Sequence, residues 1–213
     1  MKIKILFQGD SITDAARERE FDQHLGVGYP NLVAARLGFE EPEKYEFINR
    51  GIGGNRSIDV LARIRSDIIN IQPDVMSILM GINDVWHELA SGNGVSCKDY
   101  EIYYDMLISR IKEALPSTRI MILEPFVLKG PATEEKWDEF RRGTEENAAA
   151  AARVAKKHGL PFVKLMDKFD AAAKLAETTY WLKDGVHPTP MGHELIAKEW
   201  MKVFKNILRG TEL

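Results

Sequence analysis

Short β-rich runs at residues 3–8, 45–49, 75–80, 120–125 and 161–165 are separated by longer stretches with apolar residues at helical spacing. This alternation constrains the fold more than any other feature of the chain. Strands joined through helices run parallel, and a parallel sheet needs both faces covered. The runs fit that demand, being short and largely apolar. Between them, helical spacing shows at Leu32, Ala35, Arg36 and Leu37, at Val60, Leu61, Ile64 and Ile68, and at Met106, Leu107, Ile111 and Leu115. The stretch 133–158 grows rich in alanine and stops at His158-Gly159-Leu160-Pro161, and a final helix is predicted from Met191 to about Leu208. The expected architecture is a three-layer α/β/α sandwich around a five-stranded parallel sheet. Without repeats, low-complexity tracts or linkers, residues 1–213 read as one domain. Two stretches, 14–28 and 87–96, resist assignment and read as site-lining loops, because both follow strand ends.

Composition excludes several classes. Hydrophobic residues at 45% and charged residues at 29% are globular values, so the chain can bury a core without metal or disulfide staples. A net charge of 29 − 32 = −3 offers no general basic surface for nucleic acid. The single cysteine, Cys97, rules out an intramolecular disulfide, and no activating histidine stands beside it in sequence. No apolar run approaches the roughly 20 residues of a membrane helix, and the N-terminal apolar run is too short for a signal peptide. The expectation is a cytoplasmic protein with no membrane or nucleic-acid partner.

Four segments carry unusual chemistry. Gln8-Gly9-Asp10-Ser11 follows the first strand, Arg50-Gly51-Ile52-Gly53-Gly54-Asn55 the second, and Gly81-Ile82-Asn83-Asp84-Val85-Trp86 the third; Asp184-Gly185-Val186-His187 precedes the last helix. With strand order 2-1-3-4-5 the first three loops are neighbours, at the carboxyl ends where ligands bind in such sheets. A serine after a strand is ordinarily a helix cap, and its hydroxyl is a poor nucleophile unless a base takes its proton. Here His187 can be that base, with Asp184 accepting from imidazole Nδ1–H, fixing the tautomer and leaving Nε2 to face Ser11. Attack on an ester carbonyl builds charge on oxygen, and the candidate donors for it are the Ser11 and Gly54 backbone N–H groups and the Asn83 amide. Their plain alternatives are a turn after strand two and a turn-stabilising Asn.

On these blocks the chain resembles the SGNH hydrolases, the GDSL-like lipase and acylhydrolase superfamily. Gly9-Asp10-Ser11-Ile12 matches the nucleophile block, with Ile12 where the eponymous leucine stands, and Gly54, Asn83 and Asp184-x-x-His187 match the others in the family's order. The resemblance implies a flavodoxin-like fold, catalysis by Ser11, His187 and Asp184, and an oxyanion hole of Ser11, Gly54 and Asn83, with no cofactor and no metal. Members divide among thioesterases, lysophospholipases, arylesterases and carbohydrate acetyl esterases. The third block and the long loop after Asp14 look most similar to acetyl-xylan and related carbohydrate acetyl esterases. An acetylated oligosaccharide is then the expected small-molecule ester substrate, short and imported, since no export signal precedes the domain. Trp86, His87, Tyr180 and Trp181 are candidate substrate contacts, either as faces for a sugar ring or as a wall on the acyl pocket, against the plain reading of packing residues. Similar esterases form homo-oligomers, but no residue pattern identifies an interface.

Two rivals come from other classes. Asp10, Asp14 and Asp84 at strand ends could hold Mg²⁺ for phosphoryl chemistry, although no phosphate loop accompanies them. A binding module without catalysis leaves the assembled nucleophile, base and donors unexplained.

Overall fold

A computed structural model describes residues 2–209. In chain order its elements are β1 (Ile3–Gly9), α1 (Ser11–Asp14), α2 (Tyr29–Glu40), β2 (Tyr45–Asn49), α3 (Ser57–Ala62) with a π-helical turn at Arg65–Ile69, β3 (Val75–Leu79), α4 (Ile82–Ser91), α5 (Cys97–Ala114), β4 (Arg119–Leu123), α6 (Trp137–His158), β5 (Phe162–Val163), α7 (Met166–Ala172), α8 (Thr178–Trp181) and α9 (Pro190–Arg209). Local chemistry sets several boundaries. Pro30 sits in the first turn of α2, where its missing N–H costs nothing. Ser96 caps α5 by accepting the Asp99 N–H at 3.1 Å, and Gly159 ends α6.

The sheet is parallel, in the expected order β2-β1-β3-β4-β5. Alternate side chains of β1 enter two cores. Ile5 and Phe7 pack with Val33 of α2, Phe169 of α7 and Trp200 and Phe204 of α9. Leu6 joins Val60 of α3, Tyr104 and Leu107 of α5, and Ala150 and Val154 of α6 on the other side. These are the three layers predicted, and truncating a ring such as Phe7, fully buried 5.5 Å from Trp200, typically costs about 3–5 kcal/mol. Among the described residues no helix is long and apolar enough to cross a membrane.

Three expectations need correction. The stretch from residue 87 is not a loop at its start, because α4 runs through Ser91 and stops only at Gly92. The fifth strand is two residues long rather than five: it lies at the sheet edge beside β4, Pro161 has no N–H to donate, and the chain turns into α7 at Met166. The third and fourth strands end at Leu79 and Leu123, earlier than the apolar runs, since apolar residues past a strand end can be buried without pairing.

Register places the site. Phe7 pairs with Asn49 and Gly9 with Leu79, so the loops after β1, β2 and β3 leave the sheet at nearly one level. The chain turns from β1 to β2 on one side and crosses back to β3 on the other. That reversal opens the crevice at the carboxyl ends of β1 and β3.

Candidate active site

Ser11 begins α1, a single turn. Asp10 caps it, its Oδ1 accepting from the Ile12 N–H at 2.9 Å, and this points Ser11 out of the turn. One turn has little macrodipole, so what α1 offers Ser11 is free backbone N–H groups. The Gly9 position needs room rather than flexibility, because a Cβ there would overlap Thr13 and the Leu79 carbonyl.

The Ser11 Oγ lies 3.0 Å from His187 Nε2, across 176 positions of sequence. On the other side of the ring, His187 Nδ1 is 2.6 Å from Asp184 Oδ2, while Asp184 Oδ1 accepts the backbone N–H groups of Val186 at 3.0 Å and His187 at 2.7 Å. Burial pushes the Asp184 carboxyl up, but the bonds from the His187 ring and from these two N–H groups outweigh it and hold the group down at about 2. The carboxylate is therefore ionised at neutral pH and able to orient an imidazole and balance its charge.

This corner is fastened by its own backbone. Leu182 and Pro188 form an antiparallel bridge, the Leu128 N–H donates to the Gly185 carbonyl at 2.9 Å, and the Ala132 N–H donates to that of Asp184 at 2.9 Å. Gly185 has φ +98, and a Cβ on it would come within 2.5 Å of Thr133 Oγ1 and 2.6 Å of the Leu128 carbonyl. Only glycine allows the Asp184–His187 turn to lie this close to the 128–133 loop.

Asn83 is the second residue of α4, at the end of β3. Its amide donates one hydrogen to the Asn55 carbonyl at 3.1 Å and has a second to offer. Gly54, with φ +79, faces open space: among the described residues a Cβ would meet nothing nearer than His87 Nε2 at 4.0 Å. Among the described residues no acceptor takes the backbone N–H of Ser11 or of Gly54. Ser11, Gly54, Asn83 and His187 line one open cleft of about 370 Å³, together with Trp86, His87, Ala90 and Ser91. A hydroxyl bonded to an oriented imidazole, beside uncommitted N–H donors, can attack a carbonyl and hold the resulting oxyanion.

Two candidate contacts lie in this cleft and two do not. The Trp86 ring packs 5.8 Å from that of His187 and edge-on to Phe140, and His87 follows on the same helix. Tyr180 is half exposed on α8, and Trp181 turns toward α9 to line a different groove with Leu175 and Leu195. Helical spacing of Asn83, His87, Ala90 and Ser91 would have revealed Ala90 and Ser91 as lining residues, had 87–96 not read as a loop. The three strand-end aspartates are not brought together around a shared point. Asp10 is capping α1, Asp14 accepts from the Gly53 N–H at 3.1 Å and from Arg19, and buried Asp84 accepts from the Ser57 hydroxyl at 2.5 Å and the Ser57 N–H. Among the described residues no three of His, Cys, Asp and Glu converge as metal ligands would. Complete burial pushes Asp10 up to about 7, and burial pushes Asp84 up to about 6 despite the Ser57 bonds.

Known proteins resemble this chain in sequence and in fold. The model of the GDSL-like Lipase/Acylhydrolase family matches residues 7–195. An acetylxylan esterase of Geobacillus stearothermophilus is 31% identical over 209 residues, which cover 93% of this chain and 92% of that protein. Among solved structures, a protein from Parabacteroides merdae described as a GDSL-like lipase superimposes with a TM-score of 0.89 at 37% identity, covering 95% of this chain and 98% of its own. The structure of Axe2, the acetylxylan esterase of Geobacillus stearothermophilus, gives a TM-score of 0.84 at 31% identity with 95% of each chain covered. Axe2 variants described as catalytic mutants replace a serine in one case and an aspartate in another by alanine.

Proposed function

The chain belongs to the GDSL-like lipase/acylhydrolase family, and from that premise we propose that it removes short acyl groups, acetate foremost, from carbohydrate esters such as acetylated xylo-oligosaccharides, with Ser11 as nucleophile. It is an ester-hydrolysing serine hydrolase by family. The observation that carries the assignment of residues is the continuous line from Ser11 Oγ through the His187 ring to the Asp184 carboxylate, at 3.0 and 2.6 Å.

In this mechanism Ser11 Oγ attacks the ester carbonyl as His187 Nε2 takes its proton. The carbonyl oxygen, now anionic, is held by the Ser11 and Gly54 N–H groups and the free hydrogen of the Asn83 amide. His187 then passes its proton to the departing sugar oxygen, leaving acetyl on Ser11. Water, deprotonated by the same imidazole, attacks the acyl-enzyme, and the proton returns to Ser11 as acetate leaves. Asp184 stays ionised throughout and stabilises the imidazolium. The Trp86 ring, 5.8 Å from that of His187, stands beside the place the acyl group would take, and this supports a preference for a small one. The likeness to an acetylxylan esterase over nearly the whole chain supports a carbohydrate as the alcohol.

Ser11→Ala should abolish p-nitrophenyl acetate hydrolysis, by about 10⁴-fold or more, and fluorophosphonate labelling, with little change in melting temperature. A Ser11→Ala protein that keeps most of its turnover would refute the assignment. Rates on acetyl, butyryl and octanoyl esters, run beside acetylated xylo-oligosaccharides, test the substrate class. Faster cleavage of octanoyl than acetyl esters would point instead to the lipase or thioesterase members of the family.

A further inference from the structure

The three proposed oxyanion donors sit on three separate segments, the start of α1, the glycine turn after β2 and the first turn of α4, and a stable hole requires that something fix those segments relative to one another. Arg63 is the side chain that does so. It follows α3 with its side chain only 14% exposed. Its Nε donates to Asn55 Oδ1 at 2.7 Å, one Nη to the Arg50 carbonyl at 2.9 Å and to the Asp67 carboxylate, and the other Nη to Gln8 Oε1 at 2.9 Å and the Gly9 carbonyl at 3.2 Å. Every one of the five guanidinium N–H groups is thereby engaged.

These acceptors fall in the right places. Gln8 and Gly9 end β1, immediately before Asp10 and Ser11. Arg50 and Asn55 flank the glycine turn that holds Gly54. The backbone carbonyl of the same Asn55 receives the Asn83 amide at 3.1 Å, so the chain of bonds reaches the third donor. We propose that Arg63 is a positioning residue for the reaction, holding the Ser11, Gly54 and Asn83 donors in register for the oxyanion without touching substrate. The inference rests on the reading of those three groups as the oxyanion hole.

The planar fork is what the task needs. A lysine keeps the positive charge but offers three donors from one atom, which cannot reach acceptors spread around the edge of the guanidinium plane. Hydrogen bonds to an oxyanion lose their worth steeply with misplacement, and a shift of about 1 Å can cost on the order of 10²-fold in rate. Ground-state binding of a small ester does not depend on these donors being in place. The effect of loosening the clamp should therefore appear in kcat rather than KM.

The test is a cycle of Arg63→Lys, Asn83→Ala and the double variant, with kcat and KM measured on p-nitrophenyl acetate. Expected for Arg63→Lys is a fall in kcat of about 10- to 100-fold with KM within about twofold, and for the double variant a loss well short of the product of the two single losses, because Arg63 and Asn83 serve the same hole. An Arg63→Lys enzyme with unchanged kcat, or a double variant showing the full product, overturns the role given to Arg63. If Asn83→Ala alone leaves kcat intact, the hole itself is wrong and both readings fall, whereas a normal loss in Asn83→Ala with none in Arg63→Lys removes only this inference. Should Arg63→Lys not fold, Asn55→Ala decides: it deletes the Nε acceptor while keeping the Asn55 carbonyl, and kcat should fall several-fold at constant KM. An Asn55→Ala enzyme with full kcat then overturns the proposal.

Discussion

Two carboxylates close to the same imidazole are held in opposite ways. Asp184 is partly exposed, with 25% of its side chain open, and is surrounded by donors: the His187 ring and two backbone N–H groups. Asp10 is fully buried beneath the crevice, with Oδ1 on the Ile12 N–H and Oδ2 without a hydrogen-bond partner among the described residues. Hydrogen bonds to the charged form win at the first position, and the loss of water wins at the second. The acid–base corner at the rim is thus built around a charge, while the floor of the crevice is built to do without one.

The largest expected effect comes from removing the charge at the rim. Asp184→Asn should lower kcat about 10⁴-fold, as the loss of an orienting carboxylate does where the imidazole can take the wrong tautomer. The same change alters acid stability. Asp184 is held at about 2 in the folded chain against an ordinary value of 3.8, so its stabilisation is complete above about pH 4 and disappears as pH falls toward 2. Thermal melts across that window should fall more gently for Asp184→Asn than for the parent, and equal slopes would contradict the contrast.

A backbone change at the rim should come next in size. Gly185→Ala places a Cβ at φ +98 against Thr133 and the Leu128 carbonyl. We expect a loss of about 1–3 kcal/mol in stability together with a fall in kcat, measured by chemical denaturation and by ester turnover. Lost stability with full activity would mean that the 128–133 loop does not set the position of His187.

The smallest effect belongs to the floor. Asp10 is raised to about 7 in the folded chain, so the folded state holds a proton that the unfolded chain has released above about pH 4. Stability should therefore decline as pH rises from 4 to 7 and level off beyond, with Asp84 adding a similar slope that ends near 6. Asp10→Asn can keep the Ile12 N–H bond and has no charge to bury. Its melting temperature should exceed that of the parent by more at pH 8 than at pH 5, by a few degrees, and parallel curves would show that the two carboxylates do not differ as described.

Much of this arrangement was readable in the chain. The alternation of runs gave five parallel strands, because a strand buried on both faces has no polar side to confuse the pattern. The Gly9-Asp10-Ser11 and Asp184-x-x-His187 blocks marked the two ends of the hydrogen-bonded line. What was not readable depended on three-dimensional docking. Gly92 and Gly94 made the end of α4 look like a loop, although Gly92 is only its cap. Trp181 stands beside a turn that leads to the site, yet the seating of α8 on α9 sends its ring to another groove. Arg63 lies in an amphipathic stretch as one more charged residue, and nothing in its neighbours says that its donors also reach Gln8 and Gly9 at the end of β1, far earlier in the chain.

Helix α4 carries the Asn83 amide in its first turn and the Trp86 and His87 side chains one turn later, both facing the cleft. On the proposed assignment, substrate choice and rate enhancement are thus mounted on one rigid rod. Tilting or sliding that rod to admit a bulkier ester would carry the amide away from the developing charge. Descendants of this enzyme that broaden their diet should therefore do so by exchanging side chains at positions 86, 87 and 90 on an unmoved backbone.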